Sequence, residues 1–558
     1  MKNWRFNFLF VIFSVLALVI IFRLSQLQIF NNDYWRALAQ GQHNLFFQTR
    51  GERGELFLTD RQGNLYPLAI NRRWEYVFIS PREIYKKAIE PKEIGVILAE
   101  ILNLPLEKVL EKIRKSNSSY EILKRQLSPE EVNLLRTADL TGVYIKEEMV
   151  RYYPQDNLAS HLVGFLGGKG LGQYGLEGYY NEILEGSEGL QRGERFSWGY
   201  IINQNFRPPE AGEDIVLTID YNIQFRAERL LYSAKEELGI AGGTILVGDP
   251  HTGRILAMAN YPNFNPNYFF QEKDFKIFKN PTIQSLFEPG SIFKSITKAI
   301  ALEEGRITPE TVYNDTGSIQ IGGWTIRNFA RRIWGEVDMT KALAKSINTA
   351  AVFVGEKIGN AVFLDYLERF EFFRPTGIGL QGEVYSENLS FRRGYQINFA
   401  NATFGQGIET TALQLFRAFS ALANGGKLVN PHLTERDNIQ LGERIISQKA
   451  SLDITKMMVA AVEDPFGRRA RVPGYYIAGK TGTSQIAWSA LGYDRSGYSD
   501  QTIQSFVGYA PALNPSFLIL VKLNNPQTRV AGESAAPIFG ELAEFILHYY
   551  QIPPEREK

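Results

Sequence analysis

The chain has 558 residues, of which 44% are hydrophobic, with 61 basic and 60 acidic side chains. This composition excludes a disordered or fibrous protein, and the near-neutral charge gives no field that would favour nucleic acid as a partner. The absence of cysteine excludes disulfides and thiolate metal sites, and the five histidines show no metal-ligand spacing. We therefore expect no metal or other cofactor, and a serine enzyme of this composition would need a base other than histidine.

The N-terminus contains an uncharged apolar run, Phe6–Phe22, which predicts a membrane anchor. Its roughly 17 residues would extend about 25 Å as a helix, and further apolar residues lengthen the same face. We predict a cytoplasmic tail at residues 1–5 and a transmembrane anchor with a juxtamembrane helix at residues 6–30. A cleaved signal peptide is the alternative, but no small-x-small cleavage site follows the run. The basic residues before the run predict a cytoplasmic N-terminus.

The next part of the chain changes from a strand pattern to a helical one. Short β-prone runs such as "LFLTD" and "YVFIS" come first, and residues 91–138 then show helical periodicity. Ser128 followed by Glu131 predicts a capping box at the start of a helix. A glycine-rich segment leads to "PPEAGED", where the chain becomes strand-rich again. We therefore predict a first module at residues 46–212 and a second at residues 213–558.

The second module contains the pattern Ser-x-x-Lys in two overlapping frames, Ser291 with Lys294 and Ser295 with Lys298. A Glu-Pro-Gly sequence precedes the first frame and predicts that a helix begins there. Ser291 then lies in the first turn, where its backbone N–H lacks an intrahelical partner. Ser295 lies one turn further in, where its N–H is bonded. We therefore predict that the first frame carries the chemistry.

Two later motifs follow the serine in a defined order. They are Ser346–Asn348, which comes after a helical run, and Lys480–Thr483, with the sequence Lys-Thr-Gly-Thr. A second Ser-x-Asn, Ser386–Asn388, lies in a glycine- and charge-marked loop, and we interpret it as accidental. A glycine-rich stretch, Phe404–Gly407, either lines a cleft or forms a turn before a helix. The set of Ser-x-x-Lys, Ser-x-Asn and Lys-Thr-Gly is the one used by β-lactam-recognising serine enzymes.

With these motifs the chain resembles the class B penicillin-binding proteins, and more closely their division-specific (septal) branch than the elongation branch. The resemblance covers nearly the whole chain, including "RGERGELFLTDRQGNLYPLAIN", "FEPGSIFK", "FGQGIETTALQLFRAFSALANGG" and "GKTGTSQ". Elongation-type members more often have proline in place of Glu288. The chain departs from the family at Gln155 and Asp156, where a glycine is usual, and Ile347 fills the variable middle of Ser-x-Asn.

The resemblance implies an α+β multidomain fold. An N-terminal transmembrane helix would precede a β-rich or mixed pedestal domain of the dimerisation type at residues 46–212. A C-terminal serine penicillin-binding domain, similar to β-lactamases, would occupy residues 213–558. Its expected architecture is an antiparallel sheet with helices on both faces plus a helical subdomain.

The resemblance also implies a reaction, peptidoglycan D,D-transpeptidation. Ser291 would attack the carbonyl between the last two D-alanines of a stem peptide, releasing D-alanine, and an amine of a neighbouring stem would then take the acyl group. β-Lactams would acylate the same serine. Lys294 can act as the base only if it is neutral, and burial together with the charge of Lys480 would lower its pKa.

Other residues would support these steps according to the same resemblance. Ser346, with Lys480 behind it, would relay the proton to the leaving nitrogen, and Asn348 would bind the peptide amide of the substrate. The backbone N–H groups of Ser291 and Thr483 would form an oxyanion hole. The hydroxyls of Thr481 and Thr483 would bind the terminal carboxylate. On an edge strand, a side chain at position 482 would block the substrate, which explains Gly482. The predicted site is Ser291, Lys294, Ser346, Asn348, Lys480, Thr481, Gly482 and Thr483.

The expected partners are stem peptides ending in D-Ala-D-Ala, β-lactams, the membrane, a lipid II glycosyltransferase of the SEDS family (shape, elongation, division and sporulation) and other divisome proteins. The expected location is the cytoplasmic membrane, crossed once, with the catalytic domain outside. Four alternatives stay open: an elongation-type enzyme, a D,D-carboxypeptidase, a β-lactamase and a non-catalytic β-lactam-binding scaffold. A β-lactamase would need neither the anchor nor the first module.

Overall fold

The computed structural model describes residues 4–26, 44–87, 90–168, 170–196, 199–436 and 442–556. It forms two compact units, one of Met1–Gly54 with Asn181–Asp214 and the other of Glu55–Tyr180 with Ile215–Lys558. The predicted division into residues 46–212 and 213–558 stays a prediction. Residues 1–3 of the predicted tail and 27–30 of the predicted anchor lie outside the described residues.

The strands are, in chain order, β1 (Asn44–Arg50), β2 (Leu56–Thr59), β3 (Leu65–Ile79), β4 (Glu121–Lys124), β5 (Val143–Tyr152), β6 (Phe165–Leu166), β7 (Gly172–Gln173), β8 (Glu188–Phe196), β9 (Gly199–Arg207), β10 (Ile215–Asp220), β11 (Gly242–Gly248), β12 (Ile255–Tyr261), β13 (Val312–Asp315), β14 (Ser318–Ile321), β15 (Trp324–Arg327), β16 (Gly335–Asp338), β17 (Ala478–Ala487), β18 (Tyr498–Ala510) and β19 (Phe517–Asn524).

The α-helices are, in chain order, α1 (Trp4–Ser25), α2 (Pro81–Lys86), α3 (Pro91–Ile101), α4 (Leu106–Ile113), α5 (Pro129–Ala138), α6 (Ser160–Val163), α7 (Gly175–Tyr179), α8 (Asn181–Glu185), α9 (Tyr221–Leu238), α10 (Pro281–Gln284), α11 (Phe293–Glu303), α12 (Met339–Ala344), α13 (Asn348–Ile358), α14 (Asn360–Arg369), α15 (Gln396–Ala402), α16 (Ala412–Ala423), α17 (Gln448–Glu463) and α18 (Ala535–Tyr549).

The first unit contains α1, α8 and a three-stranded sheet. The sheet has the order β1-β8-β9 and is antiparallel throughout. The helix α1 covers 22 residues and includes the apolar run of the predicted anchor. Among the residues described, no helix meets the combined length and apolarity required to cross a membrane.

The N-terminal part of the second unit is a five-stranded sheet covered by helices. Its strand order is β10-β2-β3-β4, with β5 paired to β3. Buried side chains of β3, α3, α4 and α5 form one hydrophobic cluster that holds the helices on the sheet. The predicted capping box is confirmed, because the Ser128 side chain accepts from the N–H of Glu131 while the Glu131 side chain accepts from the N–H of Ser128.

An aromatic cluster joins this part of the second unit to residues further along the chain. The Phe165 ring stacks on Phe269 with centroids 4.2 Å apart and meets Phe278 edge-on at 4.8 Å. Nearby, the side chain of Asn267 forms two hydrogen bonds with the backbone of Tyr153, at 3.0 and 2.9 Å. Residues from the two sides of the predicted boundary therefore share one interior.

The C-terminal part is built on an antiparallel sheet with the order β12-β11-β19-β18-β17. Alternate residues of β19 belong to a core shared with α9 and α18 on one face. On the opposite face, α16 contacts β11 and β19. This arrangement confirms the predicted sheet with helices on both faces, and α11 to α17 with two small two-stranded sheets lie between β12 and β17 in the chain.

Candidate active site

Ser291 lies in a 3₁₀ turn, Gly290–Ile292, directly before α11. Gly290 has a positive φ of 60°, which L-residues with side chains rarely adopt, and its N–H bonds the carbonyl of Gly405 at 2.9 Å. Ser291 is partly exposed and lines a cleft of about 840 Å³. Within the described part of the chain its hydroxyl has no hydrogen-bond partner. The hydroxyl is therefore available to a molecule in the cleft.

The second Ser-x-x-Lys frame is buried inside the protein. Ser295 is 0% exposed and Lys298 is 1% exposed. Among the described residues the Ser295 hydroxyl has no hydrogen-bond partner, and Lys298 Nζ lies 3.2 Å from the sulfur of Met339. Neither residue lines the cleft. This placement favours the first frame, as the helix argument predicted.

Lys294 is fully buried one turn after Ser291 and points to the Ser-x-Asn motif. Its Nζ donates to Ser346 O at 2.6 Å and to Asn348 Oδ1 at 2.7 Å, and it lies 3.2 Å from Ser346 Oγ. Burial lowers the pKa of Lys294 well below the ordinary value of 10.5, and the nearby amines of Lys480 and Lys298 lower it further. A neutral amine at this position can accept a proton.

Lys480 approaches the same hydroxyl from β17. Its Nζ donates to Ser346 Oγ at 3.2 Å and to Thr481 O at 2.9 Å. Burial lowers the pKa of Lys480 to about 7, although the negative charge of Asp464 acts to raise it. The hydroxyl of Ser346 thus lies between two buried amines, an arrangement that can pass a proton from one to the other.

The position of Ser346 depends on an unusual backbone conformation. Ser346 has a φ of 56°, in the left-handed region that is costly for a residue with a side chain. Its N–H bonds the carbonyl of Leu343 at 3.0 Å, just beyond the end of α12. The helix that the sequence predicted before Ser346 is confirmed. The turn then directs the Ser346 hydroxyl towards the lysines while Asn348 begins α13.

Sequence reasoning missed the residues that hold Asn348 in place. The N–H of Asn348 donates to Asn328 Oδ1 at 3.0 Å. Asn328 in turn donates to the carboxylate of Asp315, which also accepts from Thr349 Oγ1 at 2.6 Å. Asp315 is 1% exposed. Its partners are 13 and 34 positions away in the chain, so no local pattern could have indicated it.

The Lys-Thr-Gly-Thr motif lies on β17, which is an edge strand as predicted. Thr481 and Thr483 line the cleft, and Thr483 Oγ1 accepts from the N–H of Ala531 at 3.2 Å. The predicted reason for Gly482 is wrong. A Cβ there would lie 2.5 Å from Ser505 Oγ and 2.9 Å from Ile292 Cγ2, so the glycine lets the strand pack against the Ser291 turn.

Glu288 joins three segments close in sequence to Ser291, and its structural role was also missed. Its carboxylate accepts from the N–H of Gly407 at 2.9 Å and from Tyr498 OH at 3.0 Å. Burial raises the pKa of Glu288. Both interpretations of the glycine-rich stretch hold, because Phe404 and Gln406 line the cleft and the stretch precedes α16.

The second Ser-x-Asn motif holds a loop and does not line the cleft. Asn388 Nδ2 donates to Ser386 O at 3.1 Å and to Glu409 O at 3.2 Å, and Asn388 Oδ1 accepts from the N–H of Glu409. The structure therefore brings Ser346 and Asn348, and not this pair, to Ser291 and Lys294.

Comparison with protein families gives two matches. Residues 243–544 match the penicillin-binding protein transpeptidase domain, and residues 48–217 match the penicillin-binding protein dimerisation domain. The chain belongs to the penicillin-binding protein transpeptidase family. It is a transpeptidase of the penicillin-binding type, and the predicted combination of dimerisation and transpeptidase domains is confirmed.

Several curated proteins are similar to this transpeptidase over nearly its whole length. It is 32% identical to probable peptidoglycan D,D-transpeptidase PbpC of Pseudomonas aeruginosa, over 99% of this chain and 96% of the relative. It is 31% identical to stage V sporulation protein D of Bacillus subtilis, over 99% of this chain and 87% of the relative. Peptidoglycan D,D-transpeptidase FtsI of Escherichia coli is 28% identical, over 99% of this chain and 93% of the relative.

Solved structures show the same fold. Penicillin-binding protein 3 of Mycobacterium tuberculosis, in complex with aztreonam, is 25% identical with a TM-score of 0.68, covering 91% of this transpeptidase and 98% of that chain. Penicillin-binding protein 2X of Streptococcus thermophilus has a TM-score of 0.72 at 20% identity, covering 90% and 80%.

Proposed function

We propose that this transpeptidase cross-links peptidoglycan stem peptides during septal cell-wall synthesis, through an acyl-enzyme on Ser291. The observation that carries the proposal is the position of the Ser346 hydroxyl, 3.2 Å from Nζ of both Lys294 and Lys480, in the cleft lined by Ser291. A serine nucleophile, a buried amine and a hydroxyl relay supply acyl transfer without histidine.

Acylation begins when Lys294 takes the proton of Ser291 and Oγ attacks the carbonyl between the last two D-alanines. The C–N bond then breaks, and the leaving nitrogen receives a proton through Ser346, with Lys480 behind it. D-Alanine leaves and the acyl group stays on Ser291 as an ester. The amine of a second stem peptide attacks this ester, forms the new amide and returns the proton to Ser291.

The remaining predicted residues bind the substrate in this proposal. The backbone N–H groups of Ser291 and Thr483 stabilise the oxyanion, and the loss of one such donor typically costs about 10²–10³ in rate. Asn348 binds the peptide amide. Thr481 and Thr483 bind the terminal carboxylate, which is supported by their place on the cleft wall. Gly482 acts through packing, because it lets β17 approach the Ser291 turn.

The cellular role extends the same proposal. The run Phe6–Phe22 would anchor the chain in the cytoplasmic membrane as part of a helix at residues 6–30, with residues 1–5 inside and the catalytic domain outside. The septal role is supported by Glu288 in the "FEPGS" sequence, and an elongation-type role is the alternative. A SEDS-family glycosyltransferase that polymerises lipid II, with other divisome proteins, would be the partner.

Intact-mass spectrometry of the full-length protein in detergent, after incubation with benzylpenicillin, tests the nucleophile. We expect one drug mass on the wild type and on Ser295→Ala, but none on Ser291→Ala. Ser295→Ala is the matched control, because it removes the hydroxyl of the buried frame. A wild type that stays unmodified while a control penicillin-binding protein is acylated would overturn the proposal.

A further inference from the structure

The walls of the active-site cleft carry an excess of positive charge. Five arginines and Lys345 face the cleft, against one carboxylate, that of Glu533. The whole chain is almost neutral, with 61 basic and 60 acidic side chains, so the imbalance belongs to the cleft. The five arginines are Arg327, Arg332, Arg468, Arg469 and Arg529.

The charges of these five arginines are not neutralised by ion pairs in the described part of the chain. Across the described ranges of the chain, none of the five lies in an ion pair with a carboxylate. Lys345 differs, because its Nζ lies 2.7 Å from a carboxylate oxygen of Asp464. Like charges gathered in one cleft repel each other, and a bound anion relieves that repulsion. The cleft is therefore suited to a ligand with several negative groups.

Arg332 is held in place by its surroundings. Its guanidinium carbon lies 6.0 Å from the centre of the Trp334 ring and 5.6 Å from that of Phe466. The backbone is fixed as well, since Asn328 donates to the carbonyl of Arg332 at 3.1 Å and Asp315 accepts from the N–H of Trp334 at 2.9 Å. A guanidinium stacked on aromatic rings keeps its donors free for an anion.

Arg529 belongs to a different segment of the cleft wall. It comes two residues before Ala531, whose N–H bonds Thr483 Oγ1 at 3.2 Å. Arg529 is exposed and lines the cleft close in sequence to this contact with β17. Positive charge thus reaches the cleft both from the loop that supports Asn348 and from the segment that contacts Thr483.

We propose that the cleft selects donor stem peptides that carry carboxylates in addition to the C-terminal one, and that Arg332 and Arg529 are specificity residues for these groups. The inference rests on the proposed function of the same cleft. Guanidinium groups bind carboxylates through charge-assisted, often bidentate hydrogen bonds. Amidation of a stem carboxylate removes the charge and the second acceptor, so an amidated donor binds less well.

Two penicillins provide the test, because carbenicillin differs from benzylpenicillin only by a carboxylate on its side chain. The second-order acylation rate of full-length protein in detergent is measured with each drug, and the ratio of the two rates isolates the extra carboxylate. We expect Arg332→Gln/Arg529→Gln to lower the carbenicillin-to-benzylpenicillin ratio about tenfold. Arg229→Gln/Arg306→Gln removes the same charge from exposed sites outside the cleft and should leave the ratio unchanged.

Two further readouts separate charge from structure. Arg332→Lys/Arg529→Lys should restore much of the ratio, and added salt should lower the ratio of the wild type because it screens exposed charges. An equal ratio in the wild type and the Gln variant, with both drugs still acylating, would overturn the inference and leave the proposed function standing. If neither drug acylates the wild type, the proposed function fails and the inference fails with it.

Discussion

At the scale of single residues, the main physical feature of this transpeptidase is a set of buried lysines with lowered pKa values. Burial disfavours the charged form of an amine, and neighbouring amines add to the effect at Lys294. Because the charged form is disfavoured, Lys294 can be the neutral amine that the proposed reaction needs. The lowered pKa values also make both activity and stability depend on pH.

The first prediction concerns the pH dependence of acylation. Because the pKa of Lys294 is well below 10.5, the rate should stay high near neutral pH and fall only as pH drops through the lowered value. The measurement is the second-order rate constant for benzylpenicillin between about pH 5 and pH 10. A rate that keeps rising up to pH 10, as for an ordinary lysine, would contradict the assignment of Lys294 as the base.

The second prediction concerns Lys298→Met. Burial lowers the pKa of Lys298 from 10.5 to about 7, so between these values the unfolded chain holds a proton that the folded protein lacks. The free energy of unfolding then rises with pH through this window, and the cost of burial is greatest at and below pH 7. Lys298→Met should therefore be more stable than the wild type at pH 7. The difference in the free energy of unfolding between the two proteins should become smaller towards pH 10.

Urea denaturation at pH 7, 8, 9 and 10 measures the difference in the free energy of unfolding between Lys298→Met and the wild type. Lys341→Met, at an exposed lysine of α12, is the control and should leave the pH slope unchanged. A constant difference between Lys298→Met and the wild type at all four values would show that Lys298 does not titrate in this window.

At the scale of elements, the site depends on how closely β17 approaches the Ser291 turn. Gly482 faces Ser505, Ile292 and the carbonyl of Pro289, with no room for a methyl group. Edge strands tolerate change on their solvent side, but this residue faces inward. Close packing therefore requires glycine at position 482, in the middle of the proposed substrate-binding motif.

The third prediction is that Gly482→Ala separates β17 from the turn and lowers the acylation rate at least tenfold. Overpacking of this kind costs about 1–3 kcal/mol, and a shift of about 1 Å in a reacting group can cost about 10² in rate. Acylation and thermal unfolding are measured together. Gly168→Ala is the control, because a Cβ there meets nothing within 4 Å. Wild-type acylation by Gly482→Ala would contradict the packing argument.

The fourth prediction concerns the loop and helix start that Asp315 joins. Asp315→Ala leaves donors from Asn328 and Thr349 without their acceptor, which should lower the free energy of unfolding by about 2–4 kcal/mol. Asn348 loses its support, so acylation should slow at least tenfold. Asp500→Ala, at an exposed site, is the control. Unchanged acylation by a folded Asp315→Ala variant would exclude a positioning role.

At the scale of the whole molecule, residues 55–180 and 215–558 form one compact unit around shared interior contacts. The aromatic cluster at Phe165 and the hydrogen bonds of Asn267 connect them. A destabilising substitution in residues 55–180 should therefore also lower the stability of residues 215–558.

The fifth prediction is that Phe165→Ala lowers stability by about 3–5 kcal/mol and that the catalytic site is lost in the same transition. Circular dichroism follows unfolding, and penicillin acylation after heating follows the site. Both curves should shift together. Phe270→Ala, at a ring that is 69% exposed, is the control and should move neither curve. Two separated transitions would show that the two segments unfold independently.

Much of the site could be predicted from sequence because its parts are local motifs. The Glu-Pro-Gly before Ser291, the helix before Ser346 and the strand through Lys480 each follow from nearby residues, and the structure contains all three elements. Helix-start signals also separated Ser291 from Ser295. The antiparallel sheet with helices on both faces was predicted through family resemblance.

Only the tertiary structure decided which distant residues meet. The contacts of Lys294 and Lys480 with Ser346 span 52 and 134 positions, and the partners of Asp315 and Glu288 are equally hidden from local patterns. The prediction that a side chain at position 482 would block the substrate was wrong for a similar reason. Sequence does not show which face of a strand packs closely against other segments. Periodicity and capping act over a few residues, whereas desolvation, charge clustering and close packing arise only when remote segments share one space.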